Sequence, residues 1–173
     1  MTREAPLLGD VQARRPTAHV SLSRVGVTGV HKVIRIATPN ARFGVMEPKQ
    51  GLFAGGGTTV RLPQQVGFAA AMEFLLTAEP LPAERALELG LLNEIVAPNE
   101  LMDRARWWAG RILANGPLAI RATKESVIRG MEVTMKEAYK IESALSQMVF
   151  GTEDAKEGPA AFAEKRTPNW QNK

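Results

Sequence analysis

Apolar positions are most regular in the second half of the chain. From Asn99 onward, Leu101, Ala105, Trp108, Ile112 and Leu113 recur at three-to-four spacing, which predicts an amphipathic helix that Gly116-Pro117 closes. A second helix is predicted from Pro117 to about Gly130 and a third from about Thr134 to Phe150, joined by short connections. The stretch TEDAKEGPAAFAEKR reads as a last helix entered through Thr152, with acidic side chains in its first turns and basic ones at its end. Pro159 inside it predicts a kink or a break.

Upstream the pattern shortens in range. HKVIRIAT is rich in β-branched residues and runs into Pro39-Asn40, the signature of a strand followed by a loop. FGVMEPKQGLFAGGGTTVRLP is irregular, with Pro48, Gly51 and Gly55–Gly57, and reads as a loop leading into a helix. Further helices are predicted from Phe68 to Leu76 and from Pro82 to Leu89, the latter stopped by Gly90, with LLNEIVA as a short extended segment. Residues 1 to about 29 show no sustained helical period; the alternation in VSLSRVGVTGV allows a short strand within an otherwise irregular arm.

Composition narrows the function classes. At 173 residues and 45% apolar content, the chain is long enough for one soluble unit with a buried core. No apolar run approaches the roughly 18 to 20 residues of a membrane span, and MTREAPLLGDVQARRP lacks a secretory apolar stretch, so a cytoplasmic protein without membrane partners is expected. There are no cysteines, which excludes disulfides and thiolate chemistry. The two histidines, His19 and His31, have no carboxylate cluster near them in sequence, so no metal site is expected. Of the net charge of +4, the first 32 residues hold five basic and two acidic side chains, leaving 17 basic and 16 acidic in the rest. The body therefore looks like a metabolic protein and not a nucleic-acid binder. A reading as a DNA-binding protein would rest on the arm alone.

The order and spacing of ATPNARFG, Glu47, GLFAGGGTTVRLPQQVG, EFLLTAEPLPAERALELGLLNEIVAP and the closing TEDAKEGPAAFAEKRTPNW resemble the C-terminal portion of the enoyl-CoA hydratase/isomerase (crotonase) family, from about Ile34 to Trp170. The resemblance implies an α/β chain with a partial crotonase-like fold. Residues 33–98 would form the C-terminal part of a β-β-α spiral core, and 99–173 a helical trimerisation region. Residues 1–32 would be an atypical basic arm, either divergent or the product of a shifted or mis-started reading frame.

The implied substrate is an acyl-CoA thioester, with no cofactor apart from the CoA it carries. Hydration of a double bond conjugated to a thioester builds negative charge on the carbonyl oxygen. Preorganised N–H donors lower that barrier, and a carboxylate near the bond moves the proton. Glu47 matches the second of two family glutamates, among the apolar Val45, Met46 and Pro48; as a bare residue it would be a solvated loop glutamate. Gly55 matches a glycine whose N–H faces the water or that glutamate, although no P-loop lysine or dinucleotide fingerprint accompanies Gly55–Gly57. Phe162 and Lys165 match an aromatic and a lysine that contact CoA bound by a neighbouring subunit; without a trimer they would be a core phenylalanine and a solvated lysine. Trp107 and Trp108 read as packing or interface residues.

The family's first glutamate, its A-x-x-G-G-G-type stretch and both oxyanion donors have no counterpart, and Val33 stands where an aspartate is common. One oxyanion donor is worth about 10² to 10³ in rate and a general acid or base about 10² to 10⁴, so this chain alone is expected to be a poor hydratase. The alternative is a non-catalytic module that forms a trimer, a dimer of trimers or an assembly with full-length relatives. Helices lacking the rest of the fold would leave apolar surface uncovered, such as the Ala69 to Leu76 face, and favour association.

Overall fold

The computed structural model describes residues 34–173 and the strand Val20–Ser21. The expectations for His19 and His31 lie outside the described residues, as does the 1–32 arm apart from Val20–Ser21, which forms a short strand within the stretch VSLSRVGVTGV where one is expected. The chain divides into two compact units between Ala105 and Arg106.

Among the described residues the first unit holds five very short strands. β1 (Val20–Ser21) pairs in parallel with β3 (Arg42–Gly44), which pairs antiparallel with β4 (Leu81–Pro82); β2 (Ile36–Ala37) pairs in parallel with β5 (Glu94–Ile95). Strands of this length do not hold by pairing alone. Their inward side chains are fixed by α1 (Thr58–Val66), α2 (Phe68–Thr77) and α3 (Ala83–Glu88), around a core in which Phe43, Val45, Leu62, Phe74 and Leu91 are buried. Small side chains at Ala71, Ala83 and Ala86, all fully buried, let these elements approach closely.

Side chains extend the β2–β5 pairing. The Arg35 N–H donates to Asn93 Oδ1 at 2.7 Å, and the Asn93 N–H donates to the Arg35 carbonyl at 2.8 Å. The Arg35 guanidinium donates to the Leu91 carbonyl and to Gln65 Oε1 at 3.0 and 3.1 Å. Burial lowers its pKa from the usual arginine value.

β3 and β4 replace what the sequence pattern reads as loop and helix start. Pro82 does introduce α3, as its cap in extended conformation (φ −69°, ψ 160°), but it also pairs with Arg42; a proline fits a strand this short because it forfeits only one ladder donor. The Ala69 to Leu76 face is not uniformly bare: Ala71, Phe74 and Leu75 are buried, while Phe68 and Leu76 stay exposed.

α4 (Leu101–Leu113) runs across the division at Ala105. In the second unit α5 (Pro117–Gly130) and α6 (Met135–Phe150) form a packed pair. Gly130 faces Ala138 across this pair, where a Cβ would sit in ordinary contact at 3.5 Å. Trp107 and Trp108 stack edge to face at 5.1 Å, with Arg111 over the Trp107 ring at 5.5 Å. α7 (Glu153–Ala163) is capped by the Thr152 hydroxyl, which accepts from the Ala155 N–H at 3.2 Å.

The break or kink expected at Pro159 is not a break. α7 continues to Ala163, because proline's fixed φ is helical and the residues beyond it are held by the fully buried Ala161. The tail after α7 folds back along it. The Trp170 indole N–H donates to the Ala114 carbonyl at 3.1 Å, and its ring lies 3.4 to 3.6 Å from where side chains at Gly158 and Gly116 would begin. Among the described residues no helix is long and apolar enough to cross a membrane, and no cluster of three or more His, Asp or Glu could hold a metal.

Candidate functional site

Glu47 opens a 3-10 helix, Glu47–Gln50, directly after the buried Val45. Pro48 presets the backbone at its first turn. Gly51, at φ 70°, closes it by donating to the carbonyls of Glu47 and Pro48, and the Leu52 N–H adds a bond of 2.9 Å to the Glu47 carbonyl. The backbone of Glu47 is thus pinned from the C-terminal side. Its side chain is half-buried, and no described side chain donates to its carboxylate. Exposed Met46, Leu52 and Phe53, the last 79% exposed, put apolar surface near it in sequence. Lys49 ties the same 3-10 helix to Glu79 beyond α2 through a bond of 2.7 Å.

Five residues on, the chain turns through Gly56 and Gly57, both left-handed (φ 67° and 85°), and enters α1 at the buried Thr58. Two successive left-handed residues are affordable only without a Cβ, which accounts for the paired glycines. Gly55 itself is not left-handed, and its N–H donates to the Phe53 carbonyl at 2.8 Å. The Gly55 N–H is therefore engaged within its own turn.

Phe162 and Lys165 belong to the second unit, at the end of α7. There the Arg166 N–H donates to the Ala161 carbonyl at 3.0 Å and the Lys165 N–H to the Phe162 carbonyl at 3.2 Å, the paired bonds of a Schellman ending. Glycine usually occupies its left-handed position. Here it is Lys165, at φ 55°, at a cost of roughly 1–2 kcal/mol for a residue with a Cβ. Lys165 is exposed, and Phe162 is 87% exposed.

Sequence reasoning passed over the pair that braces this ending. Arg166 donates to both oxygens of Glu157, at 2.5 and 2.9 Å, and to Glu164 at 2.6 Å; the Asn169 N–H donates to Glu157 at 2.6 Å. The Arg166 hydrogen bonds, and then that of Asn169, hold the Glu157 carboxyl down to about 2, while Glu157 and then Glu164 push Arg166 above its ordinary value. The only visible signal was the basic pair Lys165-Arg166 after a helix with Glu157 two turns earlier. A cavity of about 320 Å³ between α5 and α6 is lined by Thr123, Ser126, Glu142, Leu145 and Phe150 among others, and by none of the four candidate residues.

The enoyl-CoA hydratase/isomerase family profile matches residues 32–173. The chain belongs to the enoyl-CoA hydratase/isomerase family. An enoyl-CoA hydratase of Mycobacterium tuberculosis is 41% identical over 140 residues, covering 81% of this chain and 53% of that protein. A crotonyl-CoA hydratase of Syntrophomonas wolfei is 42% identical over 139 residues, covering 80% and 54%. A crystal structure of enoyl-CoA hydratase from M. tuberculosis superposes with a TM-score of 0.78 at 42% identity, over 81% of this chain and 56% of the other.

The chain thus spans about half the length of the curated relatives it matches. The α/β, partial crotonase-type fold expected from the sequence resemblance is the observed one.

Proposed function

We propose that this chain carries part of an acyl-CoA hydratase or isomerase site, with Glu47 as the proton-transferring carboxylate and no cofactor beyond the substrate's own CoA. In hydration, water gives its hydroxyl to the carbon β to the thioester and a proton to the α carbon. Glu47 would take the proton from the water and return it to the α carbon, ending as it began. The observation that carries this reading is the half-buried Glu47 carboxylate, free of described donors on a pinned 3-10 helix, with exposed apolar Met46, Leu52 and Phe53 close in sequence. In the same reading Phe162 and Lys165 engage the nucleotide end of CoA, by ring stacking and by charge on phosphate.

The engaged Gly55 N–H supports low activity. A substrate oxygen or water can use that donor only after its 2.8 Å bond to Phe53 opens, and oxyanion stabilisation depends on donors that need no rearrangement. A second reading, assembly without catalysis through self-association as a trimer or association with full-length relatives, is favoured by the large apolar side chains left exposed on α6, Met135 and Phe150 among them.

The test is hydration of crotonyl-CoA, followed by loss of enoyl-thioester absorbance, on the purified chain beside Glu47→Gln. Turnover that falls about 10²-fold or more in the variant supports the catalytic reading. Turnover equal in both proteins removes Glu47 from the chemistry, and none in either leaves the assembly reading.

A further inference from the structure

Lysine at a left-handed helix ending is a costly choice where glycine would serve, and a costly backbone state persists where its surroundings over-determine it. They do so here. The two main-chain bonds of the Schellman ending close the turn, the Arg166 guanidinium reaches across it to both Glu157 oxygens and to Glu164, and Asn169 donates to the same Glu157 carboxylate. All of these contacts order the backbone. The Phe162 ring and the Lys165 ammonium are left facing solvent, and among the described residues no carboxylate pairs with Lys165, whereas its neighbours Lys156 and Arg166 are both paired. An exposed ring and an unpaired ammonium three residues apart on an ordered turn suit a ligand with an aromatic base beside a phosphate.

We propose that Arg166 and Glu157 are positioning residues, whose bidentate pair holds the Phe162–Lys165 turn in the one conformation that presents ring and ammonium together to the nucleotide end of an acyl-CoA-type ligand. This rests on the reading of Phe162 and Lys165 given above. Neither Arg166 nor Glu157 touches the ligand; Phe162 is already held within α7, so Arg166 acts through Lys165 and its contribution disappears when Lys165 is gone. Exposed ion pairs contribute little to global stability, so removing this one loosens the turn and leaves the fold.

The experiment is calorimetric titration of adenosine 3′,5′-bisphosphate into the full chain, comparing wild type with Lys165→Ala, Glu157→Gln, Arg166→Gln and the Lys165→Ala/Arg166→Gln double variant. Loss of one charge-assisted phosphate contact predicts about tenfold weaker binding for Lys165→Ala. Glu157→Gln and Arg166→Gln are each expected to weaken binding about threefold to tenfold, and Arg166→Gln to cost nothing further once Lys165 is alanine. Glu157→Gln keeps the shape and an acceptor for Asn169, so it carries the test even if Arg166→Gln does not fold. Losses that add in the double variant, or wild-type affinity in both positioning variants while Lys165→Ala is weakened, overturn the positioning role and leave the nucleotide-site reading standing. No binding by wild type, or no effect of Lys165→Ala, overturns the nucleotide-site reading itself.

Discussion

Glu157 is the residue whose charge state the fold controls most visibly. Arg166, and after it the Asn169 N–H, hold its carboxyl down to about 2 from the ordinary 4.5. A depressed folded-state pKa contributes stability that is complete above the unfolded value and is lost as pH falls through the folded one. The Glu157 contribution should therefore fade between about pH 4.5 and pH 2. Melting curves by circular dichroism across that window are expected to show a steeper fall for wild type than for Glu157→Gln. Identical slopes would mean that the pair orders its turn without adding measurably to global stability. A motif in the sequence singles out Glu47 and Lys165, and the structure places the first on a 3-10 helix and the second at a left-handed helix ending. The Glu157–Arg166 pairing was not legible in the sequence, because it needs the chain to reverse through a left-handed lysine, and nothing in a lysine announces that conformation. At Gly55 the glycines mark a turn, as the pattern indicates, and the turn itself engages the N–H with the Phe53 carbonyl.

At the scale of elements, helices carry their own instructions and very short strands do not. The periodic stretch after Asn99, the caps at Thr134 and Thr152, and Gly90 after α3 all act within a turn of where they stand, and α4 to α7 lie close to where the pattern puts them. β3 and β4 are three and two residues long and pair Arg42 with Pro82, a register set by the core and not by local alternation.

The return of the tail along α7 is equally non-local, and one buried carboxylate holds it. Asp154, 6% exposed, accepts from the N–H groups of Gln171 and Asn172 at 2.6 and 3.0 Å. Replacing it with alanine leaves both donors without their partner, and charge-assisted bonds of this kind are worth about 1.5–3 kcal/mol each in mutational series. Asp154→Ala is expected to destabilise the chain by about 2 kcal/mol or more in urea unfolding, whereas alanine at the neighbouring exposed Glu153 should cost under about 0.5 kcal/mol. Equal, small effects at both positions would mean that the tail is held by its other bonds, such as those from the Glu153 and Asp154 N–H groups to the Lys173 carbonyl, and not by the carboxylate.

For the molecule as a whole, an apolar stripe says that a face is destined for burial without saying against what. Both units illustrate this. Phe53, Phe68 and Leu76 in the first, and Leu113, Phe150 and Phe162 in the second, remain largely exposed after every described element has packed. Monomers rarely leave this much large apolar surface in water, and burial is worth about 25 cal/mol per Å², so contact between such faces is strongly favoured once chains meet. The chain is therefore expected to self-associate: light scattering after size exclusion should give a mass that is a multiple of 18.8 kDa, and Phe150→Glu should shift it downward by placing a charge in the apolar surface of α6. A monodisperse 18.8 kDa species at tens of micromolar would show that these faces tolerate water, and would remove the support that exposed apolar surface gives to the assembly reading. A uniform multimer that Phe150→Glu leaves intact would move the interface away from α6, toward Phe53, Phe68 and Leu76 on the unit that carries Glu47.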